Sequence, residues 1–194
     1  MSAPPKTYYT PEQYLEQERQ SEYKSEYFRG EIFMMAGATP NHNRVKENLS
    51  GLTFLHLRGK SCRGFSSGQR LLVRENGLYT YPDYMVICGQ NRYSDIRSDT
   101  VTNPVLIAEI LSPSTESYDR GEKFKLYRAL ETLHEYVLLD SQKVRAEVFR
   151  KNENGFWYIA SEADSPDGQI RLECIGLTLN MSDLYADTEN LLPA

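Results

Sequence analysis

Residues 105–111 read Val-Leu-Ile-Ala-Glu-Ile-Leu, a continuous apolar run broken by one acid, Glu109. A run of this length with no polar alternation is the pattern of a strand buried on both faces, at the centre of a sheet. Ser112-Pro113-Ser114 stops it. Working outward, residues 135–140 (EYVLLD) read as another buried strand, and 69–74 (QRLLVR) and 82–88 (PDYMVIC) as two strands joined through the turn residues Asn76-Gly77. The segment from about Tyr118 to Leu133 places Lys123, Leu126, Tyr127, Leu130 and Leu133 on one helical stripe. Upstream, Val45, Leu49, Leu52 and Leu55 recur at three and four, which predicts a long amphipathic helix from His42 to Leu57, ended by Gly59.

Thr10-Pro11-Glu12-Gln13 carries the cap, the proline and the reach-back side chain of a helix start, and this helix runs to about Gln20. Residues 24–35 (KSEYFRGEIFMM) read as a hairpin turning at Arg29-Gly30, and 89–103 as a polar loop. Alternating strands are expected at 143–150, 156–161 and 169–174. The order of elements predicts an α/β fold with a mixed central sheet flanked by helices. The chain has 194 residues, the size of about one domain. Residues 1–9 are expected to form a flexible tail and residues 10–194 the domain itself.

Composition narrows the function. Aromatic residues make up 11% of the chain, 14 of them Tyr, which a disordered chain lacks. No apolar run approaches the roughly 18–20 residues of a membrane span, and the N-terminus does not resemble a signal peptide, so a cytoplasmic protein is expected. Cys62, Cys88 and Cys174 lie far apart with no Cys-x-x-Cys pair, so neither a disulfide framework nor a zinc site is expected.

Net charge is −5, which counts against a generally basic nucleic-acid binder. The charge is unevenly placed, however. Residues 44–74 hold seven basic side chains (Arg44, Lys46, Arg58, Lys60, Arg63, Arg70, Arg74) against Glu47 alone. Such a segment can line a polyanion groove, because phosphate binding depends on local charge. It equally describes a solvated helix face followed by an edge strand.

Glu109 is the residue most in need of explanation. An unpaired carboxylate in a dry strand costs several kcal/mol, so a metal ion or a cationic partner must compensate it. Asp83 follows Pro82 and opens the next most apolar strand. Acids on neighbouring strands can converge on a divalent cation, and hard oxygen ligands suit Mg²⁺. The competing account makes Glu109 half of a buried salt bridge and Asp83 a turn residue. Lys123 starts the buried stripe of its helix, where it can meet a carboxylate on the sheet or snorkel to water.

Together these pieces resemble the Pro-Asp…(Asp/Glu)-x-Lys nuclease superfamily, and one branch of it, the Uma family of restriction-endonuclease-like proteins. The matching stretches are YTPEQYL, FRGEIFMM, His42 opening the long helix, YPDYMVI, AEILSPST, YDRGEKFKLYRA and HEYVLLD, spread over most of residues 8–140. The superfamily lysine two residues after the acid is replaced here by Leu111, and Lys123 matches the position that the Uma-like branch uses instead. The resemblance implies a restriction-endonuclease-like fold and a homodimer that hydrolyses DNA. Asp83 and Glu109 would hold Mg²⁺ (Mn²⁺ substituting), with the carbonyl of Ile110, and Lys123 would orient water or stabilise charge on phosphorus. Glu31 would bind the metal through water, or else be a solvent-facing hairpin carboxylate. His42 would contact a phosphate, or else cap or pack. Gln69 and Arg70 flank the expected groove as DNA-contact candidates. Two alternatives stand beside the endonuclease: a nucleic-acid-binding or scaffold protein that keeps the fold without turnover, and a metal-dependent hydrolase of small substrates.

Overall fold

The protein was analysed as a computed structural model, which describes residues 7–193. In chain order the elements are α1 (Pro11–Gln20), β1 (Ser25–Phe28), β2 (Glu31–Met34), α2 (Pro40–Leu57), β3 (Cys62–Ser66), β4 (Arg70–Val73), β5 (Leu78–Thr80), β6 (Tyr84–Cys88), β7 (Thr100–Val101) and β8 (Leu106–Leu111). There follow α3 (Glu116–Tyr118), a π-helical turn (Asp119–Lys123), α4 (Phe124–Tyr127), β9 (Glu135–Asp140), β10 (Ala146–Lys151), β11 (Trp157–Ala163), β12 (Gln169–Leu172), β13 (Leu177–Asn180) and α5 (Met181–Leu184).

All six residues of β8 are buried, as its apolar run requires. It lies inside a six-stranded sheet ordered β11-β10-β9-β8-β6-β3, parallel to β9 and antiparallel to β6, so the sheet is mixed. Successive side chains of a strand point to opposite faces. Leu106, Ala108 and Ile110 therefore pack with Val45 and Leu49 of α2 and with the β12–β13 hairpin. Ile107 and Leu111 pack the other way, against Leu71, Val73 and Leu78 of a second sheet and against Phe124 and Tyr127 of α4. The second sheet is ordered β2-β1-β5-β4-β7, and its far side is covered by Tyr14 and Leu15 of α1. Glu109 has the parity of Ile107 and Leu111, so it points into the layer between the two sheets.

Several local expectations need correction. The strands read at 69–74 and 82–88 do not pair with each other. β4 turns at Asn76-Gly77 into the short β5, and Pro82-Asp83 carries the chain across to the other sheet. Three residues of strand are too few to show a period, and Pro82 lacks the N–H that would continue a ladder. The helix expected over 118–133 is shorter and broken: α3, the π turn and α4 end at Tyr127, and Leu130 and Leu133 reach the core from the following turns. In α2 the buried face runs Val45, Leu49, Thr53, Leu57, while Leu55 is 68% exposed. Cys62 and Cys88, expected to be free, stand opposite each other in the β3–β6 ladder and form a disulfide. Their separation of 26 residues conceals a pairing that only the register creates.

The N-terminal hairpin is fastened at both ends. The Tyr9 amide donates to Gly30 O (2.8 Å), and the Tyr27 hydroxyl donates to Tyr9 O (3.0 Å). Gly30 has φ +87°, a conformation that glycine alone adopts without strain, and the Tyr8 ring lies where a side chain would stand. Residues 1–6 of the expected tail lie outside the described residues. At the other end of β1, Glu18 of α1 accepts from both the amide and the hydroxyl of Ser25 (3.1 and 2.5 Å). That anchor fixes the next residue, Glu26.

Candidate active site

Asp83 precedes β6 and continues the register of the Tyr84–Ala108 pair, which sets it opposite Glu109. Two hydrogen bonds tie the acids together. The Asp83 amide donates to Glu109 Oε2 (3.2 Å), and the Ile110 amide donates to Asp83 Oδ2 (2.9 Å). The two carboxyl groups thus lie side by side on neighbouring strands. Glu109 is 3% exposed, whereas Asp83 lies at the rim.

Lys123 comes from the π turn between α3 and α4, and it reaches inward. Its Nζ is 3.0 Å from Glu109 Oε1, 3.0 Å from Glu26 Oε1 and 3.6 Å from Asp119 Oδ1. The Tyr127 hydroxyl donates to Glu109 Oε1 (2.8 Å), so a ring assigned by its spacing to packing is also a polar contact. Lys123 therefore does not snorkel; it is a buried ammonium facing three acids. Burial disfavours its charge, but Glu109, Glu26 and Asp119 outweigh that and hold its pKa well above the usual lysine range. Burial pushes Glu109 up to about 8 against the pull of Lys123, with the charges of Asp119 and Asp83 adding to the rise. Burial also pushes Asp83 up, yet its hydrogen bond and ion pair with His42, the Ile110 amide and Lys123 leave it below the ordinary carboxylate range. Two acids facing each other with pKa values driven apart are a common property of catalytic sites.

His42 sits in the first turn of α2, its amide donating to Thr39 Oγ1 (3.3 Å). Its Nε2 lies 3.3 Å from Asp83 Oδ2. Its Nδ1 is buried and has no hydrogen-bond partner among the described residues. The capping role considered for this histidine belongs to Thr39; His42 itself reaches the acids.

Glu26 is a site residue that the sequence reading passed over. It is 8% exposed on β1, accepts from the Thr80 hydroxyl (2.6 Å) and from the Tyr118 hydroxyl (3.4 Å), and shares Lys123 with Glu109. The available signal, an acid between Ser25 and two aromatic residues, is much weaker than the apolar run around Glu109. Glu31 opens β2 opposite Phe28, and Glu26 is paired with Phe33, so both glutamates project from the same face of the hairpin.

Arg70 does not fit the role of a DNA contact. It is 4% exposed, and its guanidinium is held by Thr100 (2.9 Å), Tyr81 (3.1 Å) and Asp99 (3.0 Å). The Gln69 side-chain amide donates to the backbone carbonyls of Arg70 and Asp99. Both residues brace the loop before β7.

The donor set suits a hard divalent ion. Asp83 and Glu109 are the carboxylates that would hold it, and Mg²⁺ takes one or two carboxylates while keeping several waters. Among the described residues no three His, Cys, Asp or Glu side chains form a ready-made metal cage.

A buried acid on one central strand, an acid after Pro82 entering its neighbour and a lysine from the packed helix define a mixed α/β protein of the restriction-endonuclease-like class. Residues 11–182 match the Uma2 family, described as "Putative restriction endonuclease". The chain belongs to that family. Among its relatives, slr1290 of Synechocystis sp. is 38% identical over 177 residues, covering 91% of this chain and 90% of its own, and sll1609 of the same organism is 41% identical over 150 residues, covering 77% and 85%. Both are described as "Uncharacterized protein". A solved protein from Anabaena variabilis, described as "a putative nuclease belonging to DUF820", shares the fold with a TM-score of 0.71 at 18% identity, over 90% of this chain and 96% of that one.

Proposed function

We propose that the protein is a divalent-metal-dependent endonuclease that hydrolyses DNA phosphodiester bonds. The observation that carries this reading is the meeting of Asp83, Glu109 and Lys123 at the end of β6 and β8. Asp83 and Glu109, with the Ile110 carbonyl, are the residues to hold Mg²⁺ or Mn²⁺. When bound, such an ion supplies charge neutralisation at the phosphate and a more acidic water. Lys123 holds a fixed positive charge beside the acids, where it stabilises charge growing on the phosphate oxygens. Glu26 is a positioning residue: it shares the ammonium and keeps Lys123 from collapsing wholly onto Glu109. His42, with Nε2 beside Asp83 Oδ2, fixes the orientation of that carboxylate. Leu111, standing where the superfamily carries lysine, adds no charge to the strand, so Lys123 is the site's one ammonium in this reading.

Cutting both strands of a duplex is conveniently done by two symmetric sites, and we read the working form as a homodimer. The test of activity is nicking and linearisation of supercoiled plasmid with Mg²⁺ or Mn²⁺. The wild type should cleave, and Asp83→Asn or Glu109→Gln should lower the rate by 10²-fold or more while keeping the melting temperature within a few degrees. A folded wild type that cleaves no DNA with either ion would overturn the endonuclease in favour of a binding or scaffold protein. A hydrolase of small substrates would show no steep salt slope in binding measurements on a panel of DNAs.

A further inference from the structure

We propose that Lys24 and Lys46 form a clamp for a backbone phosphate of the DNA beside the acids, a proposal that takes the identity of its ligand from the nuclease reading. Lys24 lies just before β1 and Lys46 on α2, in layers on opposite sides of the six-stranded sheet's end. Both reach the same residue, Ser67, in the turn between β3 and β4. Lys24 Nζ donates to Ser67 O (2.7 Å), and Lys46 Nζ donates to Ser67 Oγ (3.4 Å) and to Asn43 Oδ1 (3.3 Å).

Among the described residues no carboxylate lies within 4.0 Å of either ammonium. Arg44 on the same helix differs, since Glu47 partners it at 3.6 Å. In a chain of net charge −5, two uncancelled positive charges brought to one serine repel each other, and an anion placed at that point relieves the repulsion. Lys24 is exposed and Lys46 half-buried, and Gly68 next to Ser67 has open space where a side chain would stand. The spot is therefore open to a ligand from outside.

Its position gives the clamp its use. Lys46 is four residues after His42, so the two side chains lie about 5–6 Å apart on one face of α2. His42 in turn lies 3.3 Å from Asp83. The clamp is thus placed for a phosphate flanking one held at the acids. Contacts of this kind position a duplex without reading its sequence.

The experiment is equilibrium binding of the full chain to a fluorescent duplex, without divalent metal, across about 50–200 mM salt. The double variant Lys24→Gln with Lys46→Gln keeps a polar side chain with a donor, one bond shorter, while removing both charges; Lys24→Ala with Lys46→Ala is the harsher pair. The expected result is weaker binding of either double variant, with a slope of log K on log salt shallower by about 1, the change expected on losing one phosphate contact. Lys151→Ala, at the end of β10 away from the acids, should leave the slope as it is in the wild type. Double variants that bind with the wild-type slope, or a Lys151→Ala loss of equal size, would overturn the clamp, as would a wild type that does not bind the duplex. Because no metal is present, failure of the clamp is separable from failure of the nuclease reading, which the plasmid assay tests alone.

Discussion

Lys123 faces more buried charge than any other side chain of the site, and removing it is the sharpest single-residue test of how the site is held together. Lys123→Met keeps the volume but leaves Glu109, Glu26 and Asp119 facing one another. Breaking a buried pair by deleting one partner costs about 3–5 kcal/mol, and a loss of that size is expected from urea denaturation. The deficit should grow as pH rises through about 8, where Glu109 ionises beside Lys123 in the wild type but must stay protonated in the variant. A variant as stable as the wild type below and above that pH would contradict the network. Asp83, Glu109 and Lys123 were legible in the sequence because each is a charge standing where the pattern demands apolar surface. Glu26 was not, because SEYF is short and alternates as the exposed arm of a hairpin would. Arg70 was misread for the opposite reason: a charge in a basic segment looks like a surface contact until Asp99, Thr100 and Tyr81 close around it.

Two joints between elements position the site. β3 crosses the Tyr84 ring through Gly64, whose missing side chain makes room for the Tyr84 hydroxyl. Gly64→Ala forces a Cβ into that hydroxyl and pushes on the residue next to Asp83. A loss of about 1–3 kcal/mol in stability is expected by thermal or urea unfolding, together with weakened cleavage; an unaffected melting temperature would contradict it. The second joint ties α1 to the loop before β7, where Arg19 and Arg70 both hold Asp99 (2.7 and 3.0 Å). Burial raises the Asp99 carboxyl, but the bonds from Arg19 and Thr100 and the charge of Arg70 outweigh it and hold it far below the usual range. A carboxyl depressed in the folded state stabilises above its unfolded pKa, near pH 4, and that contribution fades as pH falls further. Asp99→Asn should thus be less stable than wild type by an amount that is constant above about pH 5 and shrinks below pH 4, checked by urea midpoints at each pH. A difference that widens toward low pH would contradict the joint. Elements with a long period were readable, as α1, α2 and β8 are. The π turn was not, since the stripe from Lys123 to Leu133 is equally well buried by a helix that stops at Tyr127 and two turns that finish the work.

At the scale of the whole molecule, the central strands of the sheet containing β8 are covered on both faces. α2 and the C-terminal hairpin close one face, α4 and the second sheet close the other, and Asp83 with His42 marks the rim. The sequence foretold the mixed α/β class, but not that its strands divide into two sheets, because pairing between β4 and β5 or β6 and β8 is a property of register rather than of any local run. Nor could it foretell the Cys62–Cys88 bond, which exists only once β3 lies beside β6. Among the described residues no helix is long and apolar enough to cross a membrane. The proposed activity rests on Asp83 and Glu109 sharing one divalent ion next to Lys123. A crystal soaked in Mn²⁺ tests it without a substrate: anomalous density within about 2.5 Å of both carboxylates is expected, and carboxylates left bare at saturating Mn²⁺ would contradict it.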